Sequence, residues 1–591
     1  LLVVPGITFY DNDPPATARL SWNYLVAYLR PYKKLGIQLL LGLVLSSLFS
    51  LVFPFLTQAI VDTGIQNQDI DFIYLILIGQ LVLFASATAV SFIQSWILLH
   101  IGVRMNVALI SDFLAKLMRL PIGFFDAKMT GDLLQRIGDH RRIESFLTNS
   151  TLSIVLSIFN LLVFSFVLLY YSSMIFFVFA LASILYFVWI LFFLKKRKQI
   201  DQRAFQQMSR NQNSLIEIIQ GMPEIKLQGS QLKRRWLWAE IQAKLFRIQM
   251  SSLKIGQYQE AGALFISQTK DIVITVIAAT AVIKGTLTLG MMLAIQYIIG
   301  QLNGPLQQMI RFIQSAQDAK ISADRLGEIH EQNNEEDETA DLTPPKQRDI
   351  NFEHVSYRYS QISDDVLQDI SFTIPHGKVT AIVGASGSGK TTLLKLLLGF
   401  YNPTKGRVKV GGIDLQNVDR QRWRDNCGVV MQDGFIFSDT IANNICESDD
   451  RPDFLKLARA VYTANIENYI DNLPLGFKTT IGARGSGLSH GQKQRLLIAR
   501  AVYKDPDIIL FDEATNSLDA NNESIIVNRL NEFFVGRTVV IVAHRLSTVS
   551  FADQIIVLDK GSIVEHGNHQ ELIAQRGAYY TLVKNQLELG Q

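Results

Sequence analysis

Gly384-Ala385-Ser386-Gly387-Ser388-Gly389-Lys390-Thr391 lies between an apolar run, Val379 to Val383, and a helix-like run, Thr392 to Leu398. The pattern is G-x-x-x-x-G-K-[ST], and strand, glycine loop and helix follow in the order a phosphate-binding loop requires. The glycines let the backbone curl so that successive N–H groups point at phosphate oxygens, and the helix N-terminus adds its partial positive charge. In that geometry Lys390 reaches the β- and γ-phosphates and the Thr391 hydroxyl ligates Mg²⁺. A glycine-rich turn that binds nothing has no need of all eight positions and both flanks. The stretch predicts a site for a nucleoside triphosphate.

Downstream, Ile508-Ile509-Leu510-Phe511-Asp512-Glu513 is an apolar strand that ends in two carboxylates. A buried parallel strand delivers Asp512 to its C-terminal end, close enough to serve the Mg²⁺. Glu513 is placed to polarise a water for in-line attack on the γ-phosphate.

Composition bounds the rest. A chain of 591 residues is too long for one core, so two or more domains are expected. Charge is balanced, with 56 Lys and Arg against 53 Asp and Glu, which gives no argument for nucleic acid. Hydrophobic residues make up 48 % of the chain, but the first half concentrates them in uncharged runs while the second half reads as a soluble domain. The two cysteines, Cys427 and Cys446, lack ligand-like spacing and read as reduced structural residues. No cleavable signal peptide is visible, and the first residue is Leu1 rather than Met, which leaves room for a segment upstream.

Residues 1–19 open with a strand-like piece and become polar and Pro-rich. In 21–34, Trp22, Tyr24, Leu25, Tyr28 and Leu29 stand near Arg30, Lys33 and Lys34, as in an amphipathic helix at a membrane interface. Leu35–Val61 and Phe72–Leu99 carry no charge, and each can cross a hydrocarbon layer of about 30 Å. Ser145–Leu194 is long enough for two crossings with a break near 170–173, and 261–283 and 286–310 supply a fifth and a sixth. Lys and Arg crowd into 100–144 and 195–257, whereas 62–71 has neither, so both termini and both long connections are expected on the cytoplasmic side. Helical periodicity in 103–120 and 203–257 predicts that the membrane helices continue beyond the bilayer. Turns at 129–134 and 220–225 would flank short transverse helices. Lys270 and Asp271 interrupt the fifth span; neighbours on a helix point about 100° apart, so they are expected to face a cavity or other helices rather than each other. The acidic, Pro-containing 331–349 reads as a linker.

Asp512-Glu513, Ser517-Leu518-Asp519 and His544, preceded by Leu488-Ser489-His490-Gly491-Gln492, resemble the ATPase domain of ABC transporters from about Ile350 to the C-terminus. Six spans in front resemble the exporter type. The resemblance implies an all-α six-helix transmembrane domain over 20–330, a linker over 331–349 and an α/β P-loop ATPase over 350–591, behind a remnant at 1–19. It implies ATP and Mg²⁺. Tyr359 would stack on adenine; Gly384, Ser386, Gly387, Ser388, Gly389, Lys390, Thr391 and Thr392 would cradle phosphate; Gln432 would sense the metal. Ser489, Gly491 and Gln492 would contact nucleotide held by the opposite subunit, and Asp519 would link the two sites. Glu513, His544 and Lys390 would be catalytic, and Thr391, Gln432 and Asp512 would serve the metal.

Gly131–Ile137, Glu224–Leu227 and Thr288–Met292 look like peptidase-containing bacteriocin and peptide exporters, and Leu1–Phe9 resembles the tail of their peptidase domain. No N-terminal Cys or His stands ready as nucleophile and base, so peptide cleavage is not expected. The expectation is a homodimeric peptide exporter of the bacterial cytoplasmic membrane working by alternating access, with a lipid or drug exporter as the alternative. Two departures stand out: His490 where the signature usually has Gly, and Ala483 where a Glu often precedes Arg-Gly. His490 motivates a rival of another class, a non-hydrolytic ATP-gated scaffold or channel, which the intact Glu513 opposes.

Overall fold

The structure is a computed structural model that describes residues 28–335, 342–343, 345, 349–360, 363–449, 451–482, 485–516, 518–543 and 549–589. The strand expected at Leu1–Phe9, the first half (21–27) of the interfacial stretch 21–34, Ala483, Ser517 and His544 lie outside the described residues. Internal contacts divide the chain into two compact units, Leu1–Leu120 with Phe124–Asn333, and Pro121–Gly123 with Asn334–Gln591.

The first unit is helical: α1 (Lys33–Ala59), α2 (Ile70–Met118), α3 (Ile122–Ala127), α4 (Thr130–Ser145), α5 (Thr151–Tyr171), α6 (Ser173–Gln220), α7 (Met222–Leu227), α8 (Gln231–Ile283) and α9 (Leu289–His330). At 1.5 Å per residue, the 49 residues of α2 and the 53 of α8 are more than twice as long as the roughly 30 Å hydrocarbon core of a bilayer. The predicted extension of these helices is therefore present. The predicted break falls at Ser172, whose extended backbone ends α5 and whose side chain caps α6 by accepting from the Ile175 amide. The two expected turns contain the six-residue helix α7 and the start of α4, with the six-residue α3 just before it.

Among the described residues five helical stretches are long and apolar enough to cross a membrane: Arg30–Ile65, Ile70–Met118, Thr130–Tyr171, Ser173–Gln220 and Gln231–Ile283. Their large apolar side chains face outward, as Phe84, Phe92, Trp96, Phe166 and Phe192 do. That arrangement suits lipid as the solvent. The sixth segment, 286–310, is helical within α9 but does not join the five. Gly290, Gln296, Gly300, Gln301, Asn303 and Gly304 dilute its apolar content. Its Ile295, Ile298 and Leu302 are fully buried against neighbouring helices, and a helix enclosed by protein has no need to be apolar all round.

The expectation that Lys270 and Asp271 do not pair is corrected. Lys270 Nζ lies 3.2 Å from Asp271 Oδ1, because the long lysine stem folds back. Asn303 of α9 joins both: its Oδ1 accepts from Lys270 at 2.6 Å and its Nδ2 donates to Asp271 at 3.1 Å. The ammonium also sits 5.1 Å from the Phe179 ring centroid. A charge at membrane depth needs such partners.

Among its described residues the second unit holds ten strands: β1 (Ile350–Tyr357), β2 (Leu367–Ile374), β3 (Val379–Gly384), β4 (Lys405–Val410), β5 (Ile413–Asp414), β6 (Cys427–Val430), β7 (Ile508–Asp512), β8 (Thr538–Val542), β9 (Gln554–Asp559) and β10 (Ser562–Gly567). One sheet runs β2-β1-β4-β5 and is antiparallel. The other runs β10-β9-β3-β8-β7-β6; four of its five pairings are parallel and the β10–β9 edge is antiparallel. β7 and β8 are buried at every position, the mark of strands covered on both faces. Cys427 and Cys446 are free and buried.

Candidate nucleotide site

The phosphate loop leaves β3, near the middle of the parallel sheet, and enters α10 (Lys390–Leu397). Crevices at the carboxyl ends of parallel strands are where such sheets bind ligands. Gly384 can carry no side chain: a Cβ there would stand 2.1 Å from the Leu558 carbonyl oxygen and 2.8 Å from Ser388 Oγ. Gly387 and Gly389 adopt φ of 80° and 103°, which side-chain-bearing residues rarely reach. Lys390 Nζ bends back over the loop and donates to the carbonyls of Gly384 and Ala385, both at 2.9 Å. Burial holds its pKa below the usual lysine value, against the pull of Glu513 and Asp512 nearby. Ser388 is 3 % exposed and its hydroxyl has no hydrogen-bond partner among the described residues. Buried hydroxyls are rarely left so. A phosphate oxygen in the cradle would satisfy it.

Register brings the carboxylates to the same rim. Asp512 of β7 is opposite Val542 of β8, which in turn is opposite Ile382 of β3. Asp512 is fully buried. Glu513, the next residue, takes a left-handed backbone at φ 53°. Non-glycine residues hold that conformation at a cost of about 1–3 kcal/mol and gather at functional sites. Contacts to both its backbone and its side chain hold it there. Its amide donates to Val542 O at 3.0 Å, its carbonyl accepts from Gln494 Nε2 at 2.8 Å, and its Oε2 accepts from Asn516 Nδ2 at 2.6 Å. Sequence reading missed Gln494 and Asn516; their signal was two carboxamides beside the predicted site, one on the helix after the signature and one three residues past Glu513.

Gln432, Glu513, Asn516 and His490 share one cavity of about 480 Å³. The unusual histidine of the signature thus lines the same cavity as Glu513 of its own chain. Tyr359 is half exposed; its hydroxyl lies 3.0 Å from Thr392 Oγ1 on α10, and its ring meets Tyr357 and Tyr401 edge-on. Thr391 follows Lys390 in the first turn of α10, and Ser386 and Gly387 are exposed at the loop tip.

Ser489, Gly491 and Gln492 engage their own helix, α11 (His490–Tyr503). Ser489 Oγ accepts from the Gln492 amide at 3.2 Å and Gln492 Oε1 accepts from the Ser489 amide at 2.7 Å, a reciprocal capping box. Asp519 caps the next helix, α12 (Ala520–Phe534), and hydrogen bonds from Asn522 hold its carboxyl below the usual range.

A glycine cradle at the end of a central parallel strand, with one buried and one half-buried carboxylate on its rim and long apolar helices in the same chain, defines a P-loop nucleotide-binding domain joined to a membrane region. Comparison with known proteins makes the class specific. Residues 37–306 match the model of the ABC transporter transmembrane region, and 367–516 match that of the ABC transporter. The chain is 31 % identical over 573 residues to the exotoxin translocation ATP-binding protein PaxB of Pasteurella aerogenes, covering 97 % of this chain and 80 % of that protein. It is 31 % identical over 576 residues to the alpha-hemolysin translocation ATP-binding protein HlyB of Escherichia coli, covering 97 % and 81 %. Its fold matches the structure of a bacterial Atm1-family ABC exporter with ATP bound at a TM-score of 0.88 and 24 % identity, over 95 % of this chain and 99 % of that one.

The chain belongs to the ABC transporter family, among the exporters that carry membrane and ATPase regions in one polypeptide. It is a membrane protein that binds ATP and couples its hydrolysis to transport, which removes the non-hydrolytic scaffold as a reading.

Proposed function

We propose that two copies of this chain form an exporter of peptide chains across the bacterial cytoplasmic membrane, with six crossings per copy and both termini inside. The observation that carries the cargo is the likeness to proteins named for the translocation of exotoxin and hemolysin. In this reading 20–330 is the membrane domain, with α9 as its sixth crossing, 331–349 the linker and 350–591 the ATPase.

The site's residues then take these parts. Tyr359 stacks on adenine. Gly384, Ser386, Gly387, Ser388 and Gly389 offer amides and hydroxyls to the phosphates, with Thr392 supporting the loop. Lys390 exchanges its two loop carbonyls for phosphate oxygens. Glu513, held by Asn516, accepts the proton of the attacking water, and His544 holds that water against the γ-phosphate. Ser489, Gly491 and Gln492 of one copy close on the nucleotide of the other, and Asp519 joins the two sites.

Thr391, Gln432 and Asp512 supply a hydroxyl, a carboxamide and a carboxylate, hard oxygen donors that suit Mg²⁺ alongside phosphate oxygens. Mg²⁺ bound there would neutralise charge developing on the transferred phosphoryl group. Among the described residues no group of three or more His, Cys, Asp or Glu gathers as a metal cage, which suits an ion held partly by its substrate.

The test is phosphate release in nanodiscs, wild type beside Glu513→Gln, with and without a leader-bearing peptide. Turnover that needs Glu513 and responds to peptide supports the proposal. Glu513-dependent turnover indifferent to peptide moves the cargo to a lipid or amphiphilic drug, and wild-type turnover in Glu513→Gln refutes the residue's role.

A further inference from the structure

Arg424 stands where three segments of the second unit meet. It lies on the six-residue helix Arg420–Asp425. Its Nε donates to the Leu398 carbonyl at 3.1 Å, and Nη2 lies 3.4 Å from the Gly399 carbonyl. Those carbonyls follow the end of α10, the helix that opens with Lys390, Thr391 and Thr392 of the phosphate cradle. Two neighbours act alongside: Trp423 Nε1 donates to Leu397 O at 2.8 Å and Arg420 Nη1 to Gly399 O at 3.0 Å. A helix end leaves carbonyls without partners inside the helix, and here one short helix takes three in a row.

The same guanidinium holds the start of 331–349. Arg424 pairs with both carboxylate oxygens of Glu335, Nη1 to Oε2 at 2.9 Å and Nη2 to Oε1, and Arg420 stands 3.9 Å from Oε1. The Glu335 side chain is 10 % exposed, and the guanidinium lies 4.9 Å from the Phe400 ring centroid. Paired forks of this kind are the strong, directional form of a salt bridge. A second fastening follows on the same helix, where Asp419, its N-cap, donates its amide to Leu342 O at 3.3 Å.

Little chain separates this clamp from α9. Glu335 comes five residues after His330, where α9 ends. Gln332 is already held within the first unit, its carbonyl accepting from Lys116 Nζ of α2 at 2.7 Å. Only Asn333 and Asn334 therefore lie between a residue held by the first unit and one held by the second. Three steps of chain span at most about 11 Å, so the joint has almost no slack. A mere tether needs no buried ion pair, whose desolvation must be offset. A joint that carries force does.

We propose that Glu335 and Arg424 pass nucleotide binding on to α9. When phosphate settles in the cradle, α10 shifts as one stiff rod of about 12 Å. Its far end carries the Arg420–Asp425 helix with it, and Glu335 draws on the C-terminal turn of α9 through two residues of chain. Both are positioning residues, since they act through α10 and lie outside the cradle. The inference needs only that ATP binding is coupled to transport and is independent of the cargo.

The experiment reads amide hydrogen exchange over 311–330 in nanodiscs, with and without a non-hydrolysable ATP analogue. Three chains are compared: wild type, Glu335→Ala, and wild type with four Gly-Ser residues inserted after Asn333. In the wild type the analogue should change exchange in 311–330. Glu335→Ala breaks the clamp, and the insertion keeps the clamp but adds slack; each should remove most of that change. Affinity for the analogue should stay within roughly threefold in both, which a loss of folded protein would not allow. A response of wild-type size in either variant overturns the proposal, as does the absence of any response in the wild type. Analogue binding weakened roughly tenfold or more by Glu335→Ala would make Glu335 part of the nucleotide site, and overturns it too.

Discussion

Arg325 of α9 stands 3.5 Å from Asp139 of α4, and both side chains are buried. The guanidinium lies 3.6 Å from the Phe205 ring centroid on α6 and 3.6 Å from Asp201, and Ser322 donates to Asp139 at 3.0 Å. Arg142 reaches both aspartates, so one charge network ties α4, α6 and α9. Removing one partner leaves the other buried charge with only the longer contacts of the network, which costs up to about 3–5 kcal/mol. Arg325→Leu and Asp139→Leu should each lower the thermal midpoint in detergent, and the double variant should lose clearly less than their sum. Simple additivity would show that the pair is not coupled.

Asp62 secures the start of α9. It accepts from the Gly290 amide at 3.0 Å and from the Thr288 hydroxyl at 2.6 Å. A Cβ on Gly290 would meet the Asp62 carboxyl at 2.6 Å and the Gln58 carbonyl oxygen at 2.7 Å. Gly290→Ala should therefore destabilise by about 1–3 kcal/mol, as overpacking does. Asp62→Ala should lose about 1 kcal/mol, the worth of a cap. A stable Gly290→Ala would mean that the two segments separate easily.

Asn516 donates from Nδ2 to Glu513 Oε2 at 2.6 Å, a bond that bears directly on the chemistry. Asn516→Ala should keep ATP affinity and lower turnover by about 10–100-fold, the scale lost when an orienting partner is removed. The measurement is nucleotide binding beside phosphate release on one preparation. An equal fall in affinity would place Asn516 in nucleotide binding instead.

Arg500 of α11 links the segment after Gln432 to the helix of the signature. It donates to Phe435 O at 2.8 Å and to Asn444 O at 2.7 Å. Burial holds its pKa below the usual arginine value without taking its charge. Arg500→Met keeps the stem but orphans both carbonyls, and the ATPase unit should lose about 2–4 kcal/mol in denaturant unfolding. Retained stability would show that water replaces the guanidinium.

Chelation gives a direct check on the metal. Excess EDTA should abolish phosphate release, and added Mg²⁺ should restore it. Turnover in EDTA would remove Thr391, Gln432 and Asp512 from a metal role.

The phosphate loop was legible because its function is local: eight consecutive residues set the backbone curl, and glycine is required where φ is positive, as at Gly387 and Gly389. The long apolar helices were legible because lipid selects composition over some twenty residues. The sixth segment strained that rule, since α9 packs against protein and carries Gly, Gln and Asn that lipid would exclude.

What the sequence by itself determined is therefore the P-loop chemistry, the apolar stretches and the family. The tertiary structure alone decided which distant residues meet. Asn303 joins Lys270 and Asp271 from 33 and 32 residues away, and Arg325 finds Asp139 across 186. It also decided that His490 opens onto the cavity of Glu513 in its own chain. Such pairings leave no periodic trace along the chain, because a buried polar group requires only that some partner arrive, and packing decides which one does.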